Sequence, residues 1–446
     1  VRTSIPLCVF LLVGLACSAA NRSAAAEAVT IASFAGSGTD SIQAMATDSA
    51  GNLYVAGTTS SLDFPVKAAW QPHMGDSRVM RSLDSGATWQ APPFGSVTDV
   101  ATGPACAIYA SRKITSDAFV AKLGPDGNQV LWATFLGGRD QDAAKALALN
   151  ANGNVWIAGS TRSLDFPVTQ PRIGVSGIQN AFVAEFSPDG ALLSSVVFGG
   201  EEEDTPVALA VDGAGAAYVV GFTDSAQFPV TPGALVTQLN NNEADGFLVE
   251  LGPDGQLAYG SYLGGSSNTA WPAAIAVGAD GQPFIGGSGI VAGQVAPANE
   301  ISTGFLARID TASSQVTYFA RMGGTLPEPN AGGPGATGNI QVDSQGQVAF
   351  SLAAGAGFPR RDAAPETPGL DCLIPQWGGV AKLSADGSSL LFSTYLDMCG
   401  APALAVSPGG SLFAGVGANA DVVEIEPRPD TARAVPHPAN EGIVKQ

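Results

Sequence analysis

Short apolar runs separated by tight-turn signals recur along this chain, and the clearest copy lies between Leu131 and Gly200. It reads LWATFLGG, AAKALALNANGNVWIAGST, SLDFPV and NAFVAEFSPDG, and SSVVFGG opens the next copy. Each unit holds four short strands, the content of one blade of a β-propeller, here called A (innermost) to D (outermost). Turns from C to D are marked at Gly124-Pro125-Asp126-Gly127, Ser187-Pro188-Asp189-Gly190, Gly252-Pro253-Asp254-Gly255 and Ser384-Ala385-Asp386-Gly387. Proline presets φ for the first corner and glycine takes the left-handed position that follows. Turns from A to B repeat this logic at Asp48 to Asn52, Asn150 to Asn154, Asp212 to Gly215, Gly278 to Gly281, Asp343 to Gly346 and Ser407 to Gly410. Their Asp and Asn residues are turn formers, because no run approaches EF-hand spacing.

Counting inner strands gives AMATD, VTDVATG, KALALN, VALAVD, AAIAVG, IQVD and ALAVS. In this count Met80 to Trp89 is the C to D hairpin of the first blade, and Val97 to Lys113 supplies the A and B strands of the second. The last repeat offers three strands, ending at Asp421 to Glu426, and Thr30 to Gly36 resembles the outermost strands elsewhere. The expectation is therefore an all-β fold, a seven-bladed β-propeller of four-stranded blades over residues 29–427, closed by an N-terminal strand that completes the last blade. AFVAEF and GFLVEL are apolar on both faces, as strands between two neighbouring blades require. Residues 428–446, rich in Pro and Ala, read as a disordered C-terminal tail.

At LWATFLGG, LALNANGNVWIAGST, SLDFPV and NAFVAEFSPDG the chain resembles the SBBP-type bacterial beta-propeller repeat family, over roughly Thr30 to Pro427. Phe64-Pro65, Phe166-Pro167, Phe228-Pro229 and Phe358-Pro359 mark one recurring loop. The fifth expected blade departs from the pattern at Gly287 to Val295, and the seventh almost lacks that loop. Ser82 to Trp89 is similar to the Asp-box of sialidase-like propellers, a resemblance that implies structural roles for Asp84 and Trp89.

Charge narrows the partners. Over 446 residues the formal net charge is -19 and the pI about 4.3, with only 20 Lys+Arg. This argues against nucleic acid and against an anionic membrane surface, both of which select clustered cations. Arg2 followed by the apolar run Ile5 to Leu15 and small residues reads as a signal peptide, 1–28, with cleavage after Ala20 or Ala28. It is too short for a transmembrane segment. The expected location is secreted, periplasmic or cell-surface, as a monomer. Cys17 lacks the aliphatic residue at -3 that a lipid anchor uses, Gly14 standing there. Beyond the leader, Cys106, Cys372 and Cys399 form an odd set. A Cys372–Cys399 disulfide and a pair of reduced thiols are both open, and Cys106 reads as a buried small hydrophobe.

Candidate chemistry falls on the long B to C and D to A connections, which share one face. Trp70, Trp271 and Trp377 lie on or beside them, as platforms for a sugar or protein partner or as caps over the blade tops. Asp40, Asp142 and Asp204 each stand four residues beyond an outer-strand glycine, just before an inner strand. With Glu201 to Glu203 nearby they could hold a divalent cation such as Ca through oxygen ligands. Alternatively, each accepts hydrogen bonds from backbone N–H groups where the chain enters the blade. Only His73 and His437 are present, which leaves little for a Ser-His-Asp triad. The functional expectation is a non-catalytic binding scaffold for a protein or polysaccharide ligand. The alternative is an extracytoplasmic hydrolase or lyase using Asp142, Asp204 or Glu203.

Overall fold

The computed structural model describes residues 35–75, 80–82, 101–102, 108–110, 115–125, 127–239, 244–264, 269–294, 304–322, 337–343, 345–354, 361, 377–385, 389–399, 403–406, 412–416 and 421–425. Within them the chain is all-β, in antiparallel sheets that follow one another along the sequence. Blade 1 is Asp40–Thr47, Leu53–Thr59, Asp117–Leu123 and Val130–Leu136. Blade 2 is Asp142–Leu149, Val155–Thr161, Asn180–Phe186 and Leu192–Gly199, and blade 3 is Asp204–Val211, Ala217–Thr223, Asp245–Leu251 and Leu257–Tyr262. Blade 4 comprises Ala270–Val277, Pro283–Gly289, Gly304–Asp310 and Gln315–Met322, and blade 5 comprises Thr337–Val342, Val348–Ala354, Trp377–Leu383 and Leu390–Cys399. A sixth sheet holds three strands, Ala403–Val406, Leu412–Val416 and Asp421–Ile425.

This pairing departs from the expected assignment of strands to the first two blades, and among the described residues neither a seventh blade nor ring closure is shown. Leu53–Thr59 pairs along its whole length with Asp117–Leu123, so these two strands share blade 1 rather than belonging to separate blades. Met80–Ser82, Ile108–Ala110 and Ala101–Thr102 instead make a small three-stranded sheet, inserted between the second and third strands of blade 1. The physical reason is burial. A third strand is covered on both faces, and DAFVAKL is buried at six of seven positions. Residues 83–89 of the Asp-box-like stretch lie outside the described residues. So do 30–34 of the expected closing strand, the leader and the tail.

The core is a series of apolar layers between consecutive sheets, and one device recurs in each blade. The inner strand carries a β-bulge between Ile42 and Ala44, Ala144 and Ala146, Pro206 and Ala208, Pro272 and Ala274, and Thr337 and Asn339. The bulge drives a backbone carbonyl towards the second strand, where Gly57, Gly159, Gly221 and Gly287 stand. A Cβ at these glycines would collide with the carbonyls of Ser41, Ala143, Thr205 and Trp271. The third strand sets a phenylalanine opposite each of them, Phe119, Phe182, Phe247 and Phe305. Blade 5 exchanges the sizes, with Leu352 opposite Gly379. Large and small residues thus alternate across the strand pair to keep the layer filled.

The turns behave as their composition dictates. Asp48 accepts from the amides of Ala50 (3.0 Å) and Asn52 (2.9 Å), and Asp212 and Asp343 repeat this geometry. Gly51, Gly190 and their equivalents hold the left-handed φ of the last corner. Adjacent blades are locked by the Trp132 indole, which donates to the Pro188 carbonyl at 2.8 Å and lies over Gly190.

The Phe-Pro connections of blades 1 to 3 do not rise as free loops. They fold back along the outermost strand as straps: Lys67 and Ala133 exchange hydrogen bonds of 3.1 and 2.9 Å, and in blade 5, whose Phe358-Pro359 lies outside the described residues, Arg361 and Ser393 exchange bonds of 3.1 and 3.0 Å. Thr169 N donates to Ser195 O (2.9 Å) and Thr231 N to Gly260 O (2.9 Å) in blades 2 and 3. In blade 2 the strap becomes a short parallel strand, Ile173–Gly174, beside Leu192–Gly199. Gly159→Ala, which forces a methyl group onto the Ala143 carbonyl beside the Phe182 ring, is expected to cost about 3 kcal/mol in chemical denaturation.

Candidate functional site at the blade junctions

The repeated aspartates stand where the D strand of one blade hands over to the A strand of the next. The hand-over ends on a glycine, Gly36, Gly138 or Gly200, whose amide is received by a carboxylate that is part-buried at Asp40 and buried at Asp142 and Asp204. Asp142 accepts from Gly138 N at 2.7 Å and Ser163 Oγ at 2.8 Å, and the Thr161 hydroxyl faces it. Asp204 accepts from Gly200 N at 2.7 Å and Thr223 Oγ1 at 2.6 Å, with Ser225 Oγ and Asn180 Nδ2 both at 3.4 Å. Asp40 takes Gly36 N at 2.8 Å, Ser61 Oγ at 2.8 Å and the Thr59 hydroxyl. Each carboxylate therefore clasps its own junction through hydrogen bonds. Among the described residues no group of three or more His, Cys, Asp or Glu side chains is placed to hold a metal ion.

The clasp also explains the SLDFP phrase position by position. Its serine (Ser61, Ser163, Ser225) donates to the junction aspartate. Its aspartate receives the next amides of the hand-over, Ser37 N to Asp63 at 2.7 Å and Arg139 N to Asp165 at 2.8 Å. In blade 3 the polarity reverses: Gln227 replaces that aspartate, and the Glu201 carboxylate accepts from the amides of Ala226 (3.1 Å) and Gln227 (2.9 Å). Its phenylalanine is buried against the third-strand ring, with centroids 4.6 Å apart for Phe64 and Phe119, 4.5 Å for Phe166 and Phe182, and 4.8 Å for Phe228 and Phe247. The leucine, Leu62 or Leu164, is left outside at 48% and 78% exposure.

Sequence reasoning missed a second acidic position, the first residue of the third strand. It is Asp117 in blade 1, Asn180 in blade 2 and Asp245 in blade 3. Where the following A strand begins with Ala270, Asp245 takes over the clasp, accepting from Gly264 N (3.0 Å) and Ala270 N (3.1 Å). At the first junction both positions are acidic. A Cβ on Gly137 would sit 2.7 Å from Asp117 Oδ2 and 2.8 Å from Asp142 Oδ2, so the two buried carboxyls face each other across that glycine. The signal was the strand-initial D or N in DAFVAKL, NAFVAEF and DGFLVEL.

Of the other expected residues, Glu203 pairs with Arg162 at 2.7 Å. His73 is exposed. Trp70 and Trp271 are each 42% exposed. Trp377 opens a third strand with its backbone opposite Cys399, while Cys372, Cys106 and His437 lie outside the described residues.

Burial pushes the carboxyls of Asp142, Asp204 and Asp245 up to about 6 from an ordinary 3.8, against the opposing pull of their hydrogen bonds. Asp142 also feels Asp165, and Arg172 faces it. Because the folded state holds these protons more tightly than the unfolded chain, their stabilisation is complete below about 4 and is lost as pH rises through about 6. The melting temperature is therefore expected to fall between about pH 4 and pH 6, and Asp204→Asn to flatten that slope in a pH series. Asp204→Ala, which strands the Gly200 amide and two hydroxyls, is expected to cost about 3 kcal/mol. Asp117→Asn reproduces the Asn180 arrangement of the next blade and is expected to be nearly neutral at pH 7.

Comparison with known proteins matches one repeat of this chain to a family model. The SBBP family, described as "Beta-propeller repeat", matches residues 30–65. The "Regulatory protein FlaEY" of Caulobacter vibrioides is 31% identical over 137 residues, which cover 28% of this chain and 14% of that protein. Among solved structures, a virginiamycin B lyase from Staphylococcus aureus aligns over 85% of this chain and 92% of its own, with a TM-score of 0.37 and 10% identity. XC5397 from Xanthomonas campestris, a gluconolactonase, aligns over 78% and 95%, with a TM-score of 0.33 and 15% identity. Likeness at these scores carries no argument about activity. The matched repeat, which begins at the expected closing strand and ends in the first SLDFP loop, supports the resemblance of this chain to SBBP-type beta-propeller repeat proteins.

Proposed function

We propose that this protein is an exported, non-catalytic binding scaffold that holds a protein partner through the loops of blades 1 and 2. The observation carrying this reading is that the fold uses the serine, aspartate and phenylalanine side chains of the SLDFP loop and leaves its leucine outside. Leu62 and Leu164 project into solvent, and Trp70, Val168, Val175 and Ile178, on the straps of the same two blades, are each more than 40% exposed. Large apolar side chains left out at equivalent positions are what a protein interface collects. The hydrolase or lyase alternative draws on Asp142, Asp204 and Glu203, and these are committed to junction clasps and to Arg162. Export is supported by Arg2 and the apolar run Ile5 to Leu15, and among the described residues no helix is long and apolar enough to cross a membrane.

In crosslinking capture from a native envelope fraction, wild-type protein is expected to retain a discrete partner that Leu62→Ser/Leu164→Ser loses, with melting temperature unchanged. Capture unaffected by the double substitution would overturn the reading. An exported chain also meets oxidising conditions. The proposed Cys372–Cys399 disulfide is then expected to protect both thiols from alkylation until a reductant is added, leaving Cys106 as the thiol that reacts in denaturant alone.

A further inference from the structure

We propose that the face on which the inner strands begin carries, across blades 2 to 4, a binding site for a neutral carbohydrate chain, with the Trp271 ring as its stacking platform. The site extends the scaffold reading and shares no residue with Leu62 or Leu164.

The repeats supply their own controls. At the second position of the inner strand, blades 1, 2 and 3 carry Ser41, Ala143 and Thr205, where blade 4 carries Trp271. At the cross-strand partner, blades 1, 2 and 4 carry Thr58, Ser160 and Ser288, where blade 3 carries Phe222. Small residues therefore satisfy the fold at both places. The two departures meet across one junction, with ring centroids 5.0 Å apart and planes tilted by 55°. Trp271 remains 42% exposed. A large ring that the fold does not need, backed by a second ring and open to solvent, offers the π-face on which the C–H face of a pyranose stacks.

The platform is rigid before any ligand arrives. Pro272 restricts the backbone of Trp271 to the extended region, and its own ring packs over Gly246, where a Cβ would sit 2.6 Å from Pro272 Cδ. Gly246 is also the residue paired with Phe222, so no side chain covers that ring from the third strand. The Trp271 carbonyl is held at the bulge against Gly287. Little ordering remains to be done on binding, which is the condition for useful affinity from one flat contact.

Hydroxyl recognition has its groups alongside. Thr205, the cross-strand neighbour of Phe222, accepts from Gln179 Nε2 at 2.8 Å, and Gln179 Oε1 accepts from Arg162 Nε at 3.3 Å. Arg162 Nη2 reaches Glu203 at 2.7 Å. An amide, a guanidinium and a carboxylate are thus held in one chain of hydrogen bonds, each with capacity left for sugar hydroxyls. Neutrality of the ligand follows from charge. Glu203 answers the Arg162 cation, and a formal net charge of -19 repels uronate or phosphate polymers.

Affinity electrophoresis in gels containing dextran, galactomannan or xyloglucan, with alginate as the anionic comparison, tests this. Wild-type protein is expected to be retarded by at least one neutral polymer and not by alginate. Trp271→Ser and Phe222→Thr restore the residue types of the other blades and should melt as wild type while weakening retardation about tenfold or more. Gln179→Ala should weaken it less. Leu62→Ser/Leu164→Ser should be retarded as wild type, so that loss of partner capture and loss of sugar binding fail independently. Absence of retardation by every neutral polymer, retardation by alginate alone, or equal retardation of Trp271→Ser would overturn the proposal.

Discussion

A backbone that turns sharply between two packed sheets must find acceptors for amides that no ladder can reach, and in this protein a buried carboxylate provides them at each of the first junctions. Asp40, Asp142, Asp204 and Asp245 do the same work from two different strand positions. The requirement is for an acceptor at that point in space, not for an aspartate at a fixed place in the repeat. Where Ala270 removes the usual donor of the carboxylate, the strand before it supplies one. A buried charge without partners would be ruinous, but here it is surrounded by amides and hydroxyls, so desolvation is partly offset by several short bonds.

Once this constraint is met, much of what looks like a chemical motif is absorbed by architecture. Serine, aspartate and phenylalanine of the SLDFP phrase each have a structural partner, and so do Glu201 and Glu203. What stands out afterwards is the small set of side chains that depart from the repeat or that the repeat leaves exposed. In a protein built from copies, function is best sought in what one blade has and its neighbours lack, and Trp271 with Phe222 is the clearest instance.

Local features were legible in the sequence because their causes are local. Asp-Gly turns, alternating strands and the order of the repeats depend on residues within a few positions of each other, and they reappear in the structure. The insertion in blade 1 was not legible, because the choice between two candidate third strands is made by burial on both faces, a property of the neighbouring sheets. The glycines of AGT, AGS and VGF carried a signal whose cause, a bulge on the opposing strand, cannot be seen without the pairing. Asp40, Asp142 and Asp204 were found by their spacing, yet the spacing alone could not say whether their carboxylates converge on an ion or each turn to its own backbone.

The straps have a consequence for how such molecules meet one another. The last strand of a blade would ordinarily present a free row of amides and carbonyls to any passing copy, and rim-to-rim addition of sheets is the simplest route from a propeller to an insoluble polymer. In blades 1, 2, 3 and 5 that row is partly taken by the chain's own loop. Lateral growth is thereby discouraged, and contacts with other molecules are directed to the two flat faces, where side chains rather than backbone decide who is accepted.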